Sequence, residues 1–277
     1  YKLFDSGAPV VVAKTTATTA DDYLAQARAS SLVKGREQTV IRLAEQSLKL
    51  RETAEGFFLV GTHKYKLKDI QGAIADLSKA IKINPQFASF YNNRGAAKGE
   101  LKDYQGAIAD YSKAIAINPQ NGDAYYNRGL IKGRDLGDYQ EAMLDYNKAI
   151  EIDPQFADAF NNRGSTKDDS GDPQGAISDY NKAIQINPQH ANAYYNRGNA
   201  KDESGGYQGA IADYSKAIAI NPHYADAFYN RGVSKRKSGD YQGAIADYNK
   251  AIEINPQYAD AYNNRGNAKD DLGDAQG

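Results

Sequence analysis

The chain has 277 residues, of which 41% are hydrophobic and 25% charged, a globular balance that excludes disordered, collagen-like and disulfide-rich classes. It has no cysteine, which removes disulfides, thiolate metal sites and cysteine nucleophiles while leaving the compartment open. Its 34 basic and 35 acidic residues give a formal charge of −1, so no basic excess marks a nucleic-acid or anionic-membrane surface, and no run approaches the roughly 18 apolar residues of a membrane span.

Taken in order, residues 1–20 are rich in Thr, Ala and Val around Lys14 and show no helical period; an extended or flexible arm is expected. Residues 21–53 align weakly with a later segment, Gly35, Gln38, Ile41, Leu48 and Leu50 matching Gly239, Gln242, Ile245, Ile252 and Ile254. This predicts a degenerate helical pair that caps the amino end of the segment starting at residue 54. From residue 54 the chain repeats. Arg-Gly recurs at Arg94, Arg128, Arg163, Arg197, Arg231 and Arg265 with spacings of 34, 35, 34, 34 and 34, and Asx-Pro keeps step from Asn84-Pro85 to Asn255-Pro256. Such a period signals a tandem array rather than two ordinary domains. The units are 54–87, 88–121, 122–156 with one inserted residue, 157–190, 191–224, 225–258, and 259–277, which holds little beyond a first helix. That ending, with a first residue that is not Met, leads us to expect a longer native protein.

In the unit Ala191 to Tyr224, Ala193, Tyr194, Arg197, Gly198 and Lys201 mark one face of a first helix, the cations contributing aliphatic stems. Gly205 supplies a left-handed residue that ends it. A second helix starts at Tyr207, carries Ala210, Ile211, Tyr214, Ala217 and Ile218 on one face, and is stopped by Pro222.

With Tyr91, Gly95, Ala107, Tyr111, Ala114 and Pro119, repeated as Tyr194, Gly198, Ala210, Tyr214, Ala217 and Pro222, the chain resembles the tetratricopeptide repeat (TPR) family from residue 54 onward. The Y-x-N-R-G wording is most similar to bacterial, particularly cyanobacterial, members. The resemblance implies an all-α, right-handed superhelical solenoid of antiparallel helix pairs, and a non-enzymatic scaffold that binds an extended or helical segment of a partner protein in complex assembly. Two other readings stay open: a targeting or regulatory region of a larger enzyme, and a structural array that self-associates through its ends.

The expected binding face is the first helix of each pair. Asn93, Asn127, Asn162, Asn196, Asn230 and Asn264 precede the arginines, and a carboxamide can bond both N–H and C=O of an extended peptide. The resemblance implies this role for the ladder; the alternative is that each Asn bonds a neighbouring repeat's backbone. Asp123, Asp158, Asp226 and Asp260 stand four residues earlier, and Glu100, Arg134, Asp169, Glu203, Lys237 and Asp271 seven later, an acidic stripe that favours basic or neutral partners. The alternative for this stripe is a solvated polar face. Tyr126, Tyr195 and Tyr229, beside the ladder, are candidate ligand contacts. Family members that clamp acidic carboxyl termini carry Lys or Arg at positions that are acidic, Asn, Ser or Tyr here, which argues against that activity.

The repeated arginines, the lysines four residues on, and Asp76, Asp110, Asp145, Asp179, Asp213 and Asp247 are expected to pair between helices. No phosphate loop, nucleophile elbow or H-E-x-x-H occurs, and no cofactor is called for. His63, His190 and His223 stand apart and read as packing or exposed residues rather than metal ligands.

Overall fold

The computed structural model describes residues 18–273. The expected arm therefore lies outside the described residues up to position 17, while Thr19 already caps the first helix. Contacts divide the chain into two compact units, with the boundary between Ile152 and Asp153, at the Asx-Pro stop of the third repeat.

The first unit contains α1 (Ala20–Ser31), α2 (Glu37–Leu50), α3 (Ala54–Lys66), α4 (Ile70–Ile83), α5 (Ala88–Glu100), α6 (Tyr104–Ile117), α7 (Gly122–Leu130), a π-helical turn (Ile131–Asp135) and α8 (Tyr139–Ile152). In the second are α9 (Ala157–Asp169), α10 (Pro173–Ile186), α11 (Ala191–Glu203), α12 (Tyr207–Ile220), α13 (Ala225–Lys237), α14 (Tyr241–Ile254) and α15 (Ala259–Asp271). No strand occurs among the described residues.

Local chemistry sets these boundaries. Asp69, Asp103, Asp172 and Asp240 accept the third-position glycine N–H and so satisfy one of the open donors at the start of α4, α6, α10 and α14. At the other end the side chain of Asn118, Asn187, Asn221 or Asn255 accepts the N–H two residues on, locking the turn that proline imposes. The first helices end on a residue with positive φ. It is glycine at Gly137, Gly171, Gly205 and Gly239, but a lysine at Lys68 and Lys102. The extra residue of the third repeat is absorbed by the π-helical turn, which keeps Lys132 in register with Lys98 and delays the turn by one position.

In the second helices Ala107, Tyr111 and Ala114, and their equivalents Ala210, Tyr214 and Ala217, are buried against the paired first helix. Each core tyrosine needs a glycine opposite it. A Cβ added at Gly95, Gly164, Gly198 or Gly232 would meet a tyrosine Cε1 at 2.8, 2.8, 2.6 or 2.8 Å. In the first unit α1 and α2 pack Leu24, Ala27, Val40, Leu43 and Ala44 against Leu59 and Val60 of α3, so the repeats there continue a pre-existing apolar face.

Candidate functional site

The charged lattice lies between helices. Arg94, Arg128, Arg163, Arg197 and Arg231 each close a two-pronged pair on the buried aspartate of the following second helix, through Nε and Nη2 at 2.5 to 2.9 Å. Lys98, Lys132, Lys167, Lys201 and Lys235 reach the same carboxylates at 2.7 to 3.1 Å. The first repeat has Val60 in place of arginine and keeps Lys64 on Asp76, at 2.7 Å, joined by Lys79 at 3.4 Å. The expected pairing is therefore present. It also extends further, because Nη1 of Arg94, Arg128, Arg197, Arg231 and Arg265 donates backward to Ser78, Ser112, Asn181, Ser215 and Asn249 of the preceding second helix. Each guanidinium also lies over the aromatic ring three residues earlier, as Arg197 does over Tyr194 at 5.5 Å. These cations hold repeats together and are not free for a ligand.

The asparagine ladder is not uniformly exposed. Asn93 and Asn127 are fully buried. Their amides donate to Thr62 Oγ1 at 3.1 Å and Asn92 Oδ1 at 3.4 Å, each in the first helix of the preceding repeat. In the second unit Asn196 donates to Asn161 Oδ1, Asn230 to Tyr195 Oη and Asn199 Oδ1, and Asn264 to Tyr229 Oη. Asn162 is half-buried and accepts from Asn161 at 3.0 Å. The physical reason is the close approach of successive first helices, which turns the ladder into a seam and spends amide donors on the neighbouring repeat's side chains.

The companion residues divide. Tyr126 is buried against Tyr146. Tyr195 and Tyr229 are half-buried between a core tyrosine and Tyr224 or Tyr258, with ring centres 4.9 to 5.9 Å apart. Among the acids, Asp158 stands 3.1 Å from Nε2 of His190, whose Nδ1 accepts the Ala193 N–H; this histidine is a helix cap with an acidic neighbour. Asp226 accepts from Tyr258 at 2.8 Å, Asp260 is exposed, and Asp123 is half-buried. Among the described residues no group of three His, Asp or Glu side chains could hold a metal.

Two clefts open on the first-helix face of the second unit. One, of about 250 Å³, is lined by Asn199, Asp202, Glu203, Tyr214, Asn230 and Val233. The other, of about 300 Å³, lies between α13, α14 and α15 and includes Val233, Arg236, Tyr248, Asn264 and Asp271. Charge here is less lopsided than the stripe suggested, since Lys237 holds Asp202 at 2.5 Å and Arg236 holds Asp271 at 2.6 Å. Asp168, Asp169 and Glu203 remain crowded together. Burial, then Glu203 and Asp169, raise the Asp168 carboxyl above its ordinary value. Asn199, Val233 and Arg236 escaped sequence reasoning; the signal available was the departure of the sixth repeat from its neighbours at these positions.

The architecture is that of a repeat protein built from short helix pairs, with its polar seams and clefts on the first-helix face. The chain belongs to the TPR repeat family, whose model matches residues 61–102, 99–134, 133–167, 169–205, 203–235 and 234–273. No curated protein matches the sequence. Among solved structures, the MamA protein is similar at 28% identity over 62% of this chain and 94% of its own, with a TM-score of 0.54. YrrB, described as a TPR protein with an unusual peptide-binding site, has 26% identity over 68% and 96%, with a TM-score of 0.54. A TPR protein from Parabacteroides merdae shares the fold at 18% identity over 90% and 98%, with a TM-score of 0.67. The family fold is typical of protein-interaction scaffolds that are not enzymes.

Proposed function

We propose that the chain holds a segment of a partner protein along the first-helix face of its second unit, with preference for basic or neutral segments, and acts in complex assembly. The observation that carries this reading is the crowding of Asp168 and Asp169 against Glu203, which together with Asp202 lines the smaller cleft. A cationic side chain seated there relieves like-charge repulsion that the fold leaves standing. Asn230, Asn199 and the half-buried tyrosines offer polar and aromatic contacts alongside. Similarity to YrrB, a TPR protein with an unusual peptide-binding site, supports a peptide-like ligand.

The test is fluorescence anisotropy with three labelled peptides of equal length, acetylated and amidated, bearing lysines, glutamates or only neutral residues. The lysine peptide is expected to bind saturably and to weaken with added salt, and Asp168→Asn with Glu203→Gln to weaken it further. Absence of saturable binding by all three, or tightest binding of the glutamate peptide, overturns the reading.

A further inference from the structure

The sixth repeat departs from its neighbours at three positions of one cleft. Where the fourth, fifth and seventh repeats carry Asp168-Asp169, Asp202-Glu203 and Asp270-Asp271, the sixth carries Arg236-Lys237. Where the fourth and fifth carry Ser165 and Asn199, it carries Val233. Neighbouring repeats fold without these changes, so the fold does not demand them.

The Val233 change has a visible consequence. In the fifth repeat the core tyrosine Tyr214 donates to Asn199 Oδ1 at 2.8 Å. Its counterpart Tyr248 meets a valine, and its hydroxyl is fully buried with no hydrogen-bond partner among the described residues. A buried hydroxyl in that state carries an unreturned desolvation cost. Tyr248 lines the cleft of about 300 Å³ together with Arg236 and Lys237. Arg236 lies near enough to act electrostatically on the phenol, whose titration burial otherwise raises. It donates through Nε to Asp271, and Lys237 brings a second cation to the cleft lining, hydrogen-bonded to Asp202.

We propose that this cleft receives an acidic side chain of the bound partner segment, its carboxylate accepting from the Tyr248 hydroxyl and from Arg236, with Lys237 adding charge and Val233 an apolar wall. The inference rests on the first-helix face being the peptide site, and adds a charge order to it: basic over α9 and α11, acidic over α13 and α15. Neighbouring helices packed about 8–10 Å apart are spanned by about three extended residues, which sets the separation of the two charges. A glutamine in place of the acid keeps an acceptor for Tyr248 but loses the pairing with the cations.

The probes are acetylated, amidated peptides carrying two lysines followed, after three residues, by glutamate or by glutamine. The glutamate peptide is expected to bind about tenfold more tightly than the glutamine peptide. In Arg236→Asp/Lys237→Glu, which copies the fifth repeat, the order is expected to reverse. Tyr248→Phe should fold as well as the native chain, since its hydroxyl bonds nothing, and should lose several-fold in affinity for both peptides, because each offers that hydroxyl an acceptor. Equal binding of the two peptides by the native chain, or unchanged binding by Tyr248→Phe, overturns the proposal while leaving a basic-segment site intact. Failure of every lysine-bearing peptide to bind overturns the peptide site itself. A glutamine peptide with a free carboxyl terminus serves as a third arm. Tighter binding than the glutamate peptide, lost in the charge-reversed variant, would assign the cleft to a terminal carboxylate instead and overturn the side-chain reading.

Discussion

Arg231 closes on Asp247 through two hydrogen bonds, 2.8 Å from Nε and 2.6 Å from Nη2, while Nη1 reaches back to Ser215 at 3.0 Å. One guanidinium thus joins the two helices of its own repeat and ties them to the previous one. Lys235 adds a second cation to the same carboxylate at 2.8 Å. In a repeat protein, stability is a sum of within-repeat and nearest-neighbour contributions, and this side chain contributes to both.

Asp247→Ala leaves Arg231 and Lys235 in a largely buried place without their counter-charge, and is expected to cost about 2–4 kcal/mol. Arg231→Leu should cost less, about 1–2 kcal/mol, because Lys235 still neutralises Asp247 and leucine keeps much of the packed stem. Urea unfolding followed by circular dichroism compares them. Native-like stability of Asp247→Ala would reduce the lattice to a set of ordinary surface pairs.

Glycine in the first helices is required where a large second-helix side chain faces it, as Tyr214 faces Gly198 and Leu77 faces Gly61. Gly198→Ala places a Cβ 2.6 Å from Tyr214 Cε1 and is expected to destabilise by about 1–3 kcal/mol. Gly266 has nothing within 4 Å of an added Cβ and lies inside α15, so Gly266→Ala should gain up to about 1 kcal/mol from helix propensity. Opposite signs in thermal unfolding are the expected result, and loss in both variants would contradict the steric account.

Lys102 ends α5 with φ of 62°, in the region where later repeats place glycine. Its neighbouring hydrogen bonds are backbone to backbone, including its own N–H to Gly99 at 2.9 Å, so the side chain is not needed to hold the turn. Lys102→Gly is expected to stabilise the chain by about 0.5–1 kcal/mol, read as a shifted urea midpoint. A loss would mean that the lysine stem contributes packing.

The repeat, its helix ends and the Arg–Asp pairing were legible because each is written many times, the pairing five, and arises from local chemistry: a glycine that turns, a proline that stops, opposite charges on facing helices. The asparagine ladder was legible as a ladder, with bonding to the neighbouring repeat's backbone as the alternative, but not as a seam of side-chain contacts. Spacing places Asn196 and Asn230 on one helical face without saying how near the next first helix comes. Likewise the 35-residue spacing announced an inserted residue, yet only the backbone shows that a π-helical turn at Ile131–Asp135 takes it up. Tyr248 illustrates the same limit, since its unbonded hydroxyl depends on Val233, a substitution that reads as an ordinary apolar change.

Asp168 supplies a pH test. Its folded carboxyl titrates above the unfolded value of about 3.9, with burial the main cause and Glu203 and Asp169 adding to it. The charged form therefore costs stability at neutral pH, and that cost disappears as pH falls through the folded value and the native state takes up the proton first. Asp168→Asn should accordingly be more stable than the native chain at pH 7, with the difference gone below the unfolded value. Thermal midpoints across pH 3 to 7 check the sign, and a difference that grows toward acid pH would refute it.

Asn230 decides between seam and ligand contact. Its amide donates to Tyr195 Oη at 3.0 Å and Asn199 Oδ1 at 3.1 Å, and it also lines the cleft shared with Asp202 and Glu203. Asn93, by contrast, is fully buried, with its amide on Thr62 Oγ1 at 3.1 Å. Asn93→Ala should cost about 1–2 kcal/mol, the hydrogen bond outweighing the better helix propensity of alanine, and should leave binding of the lysine peptide unchanged. Asn230→Ala should cost a similar amount, because it strands two half-buried partners, and should also weaken that peptide, because the same side chain borders its cleft. Measuring unfolding and anisotropy on both variants separates the roles. A stable Asn230→Ala with lost binding would return Asn230 to the open ladder that the sequence suggested, whereas lost stability with native binding would make every asparagine of the row part of the seam alone.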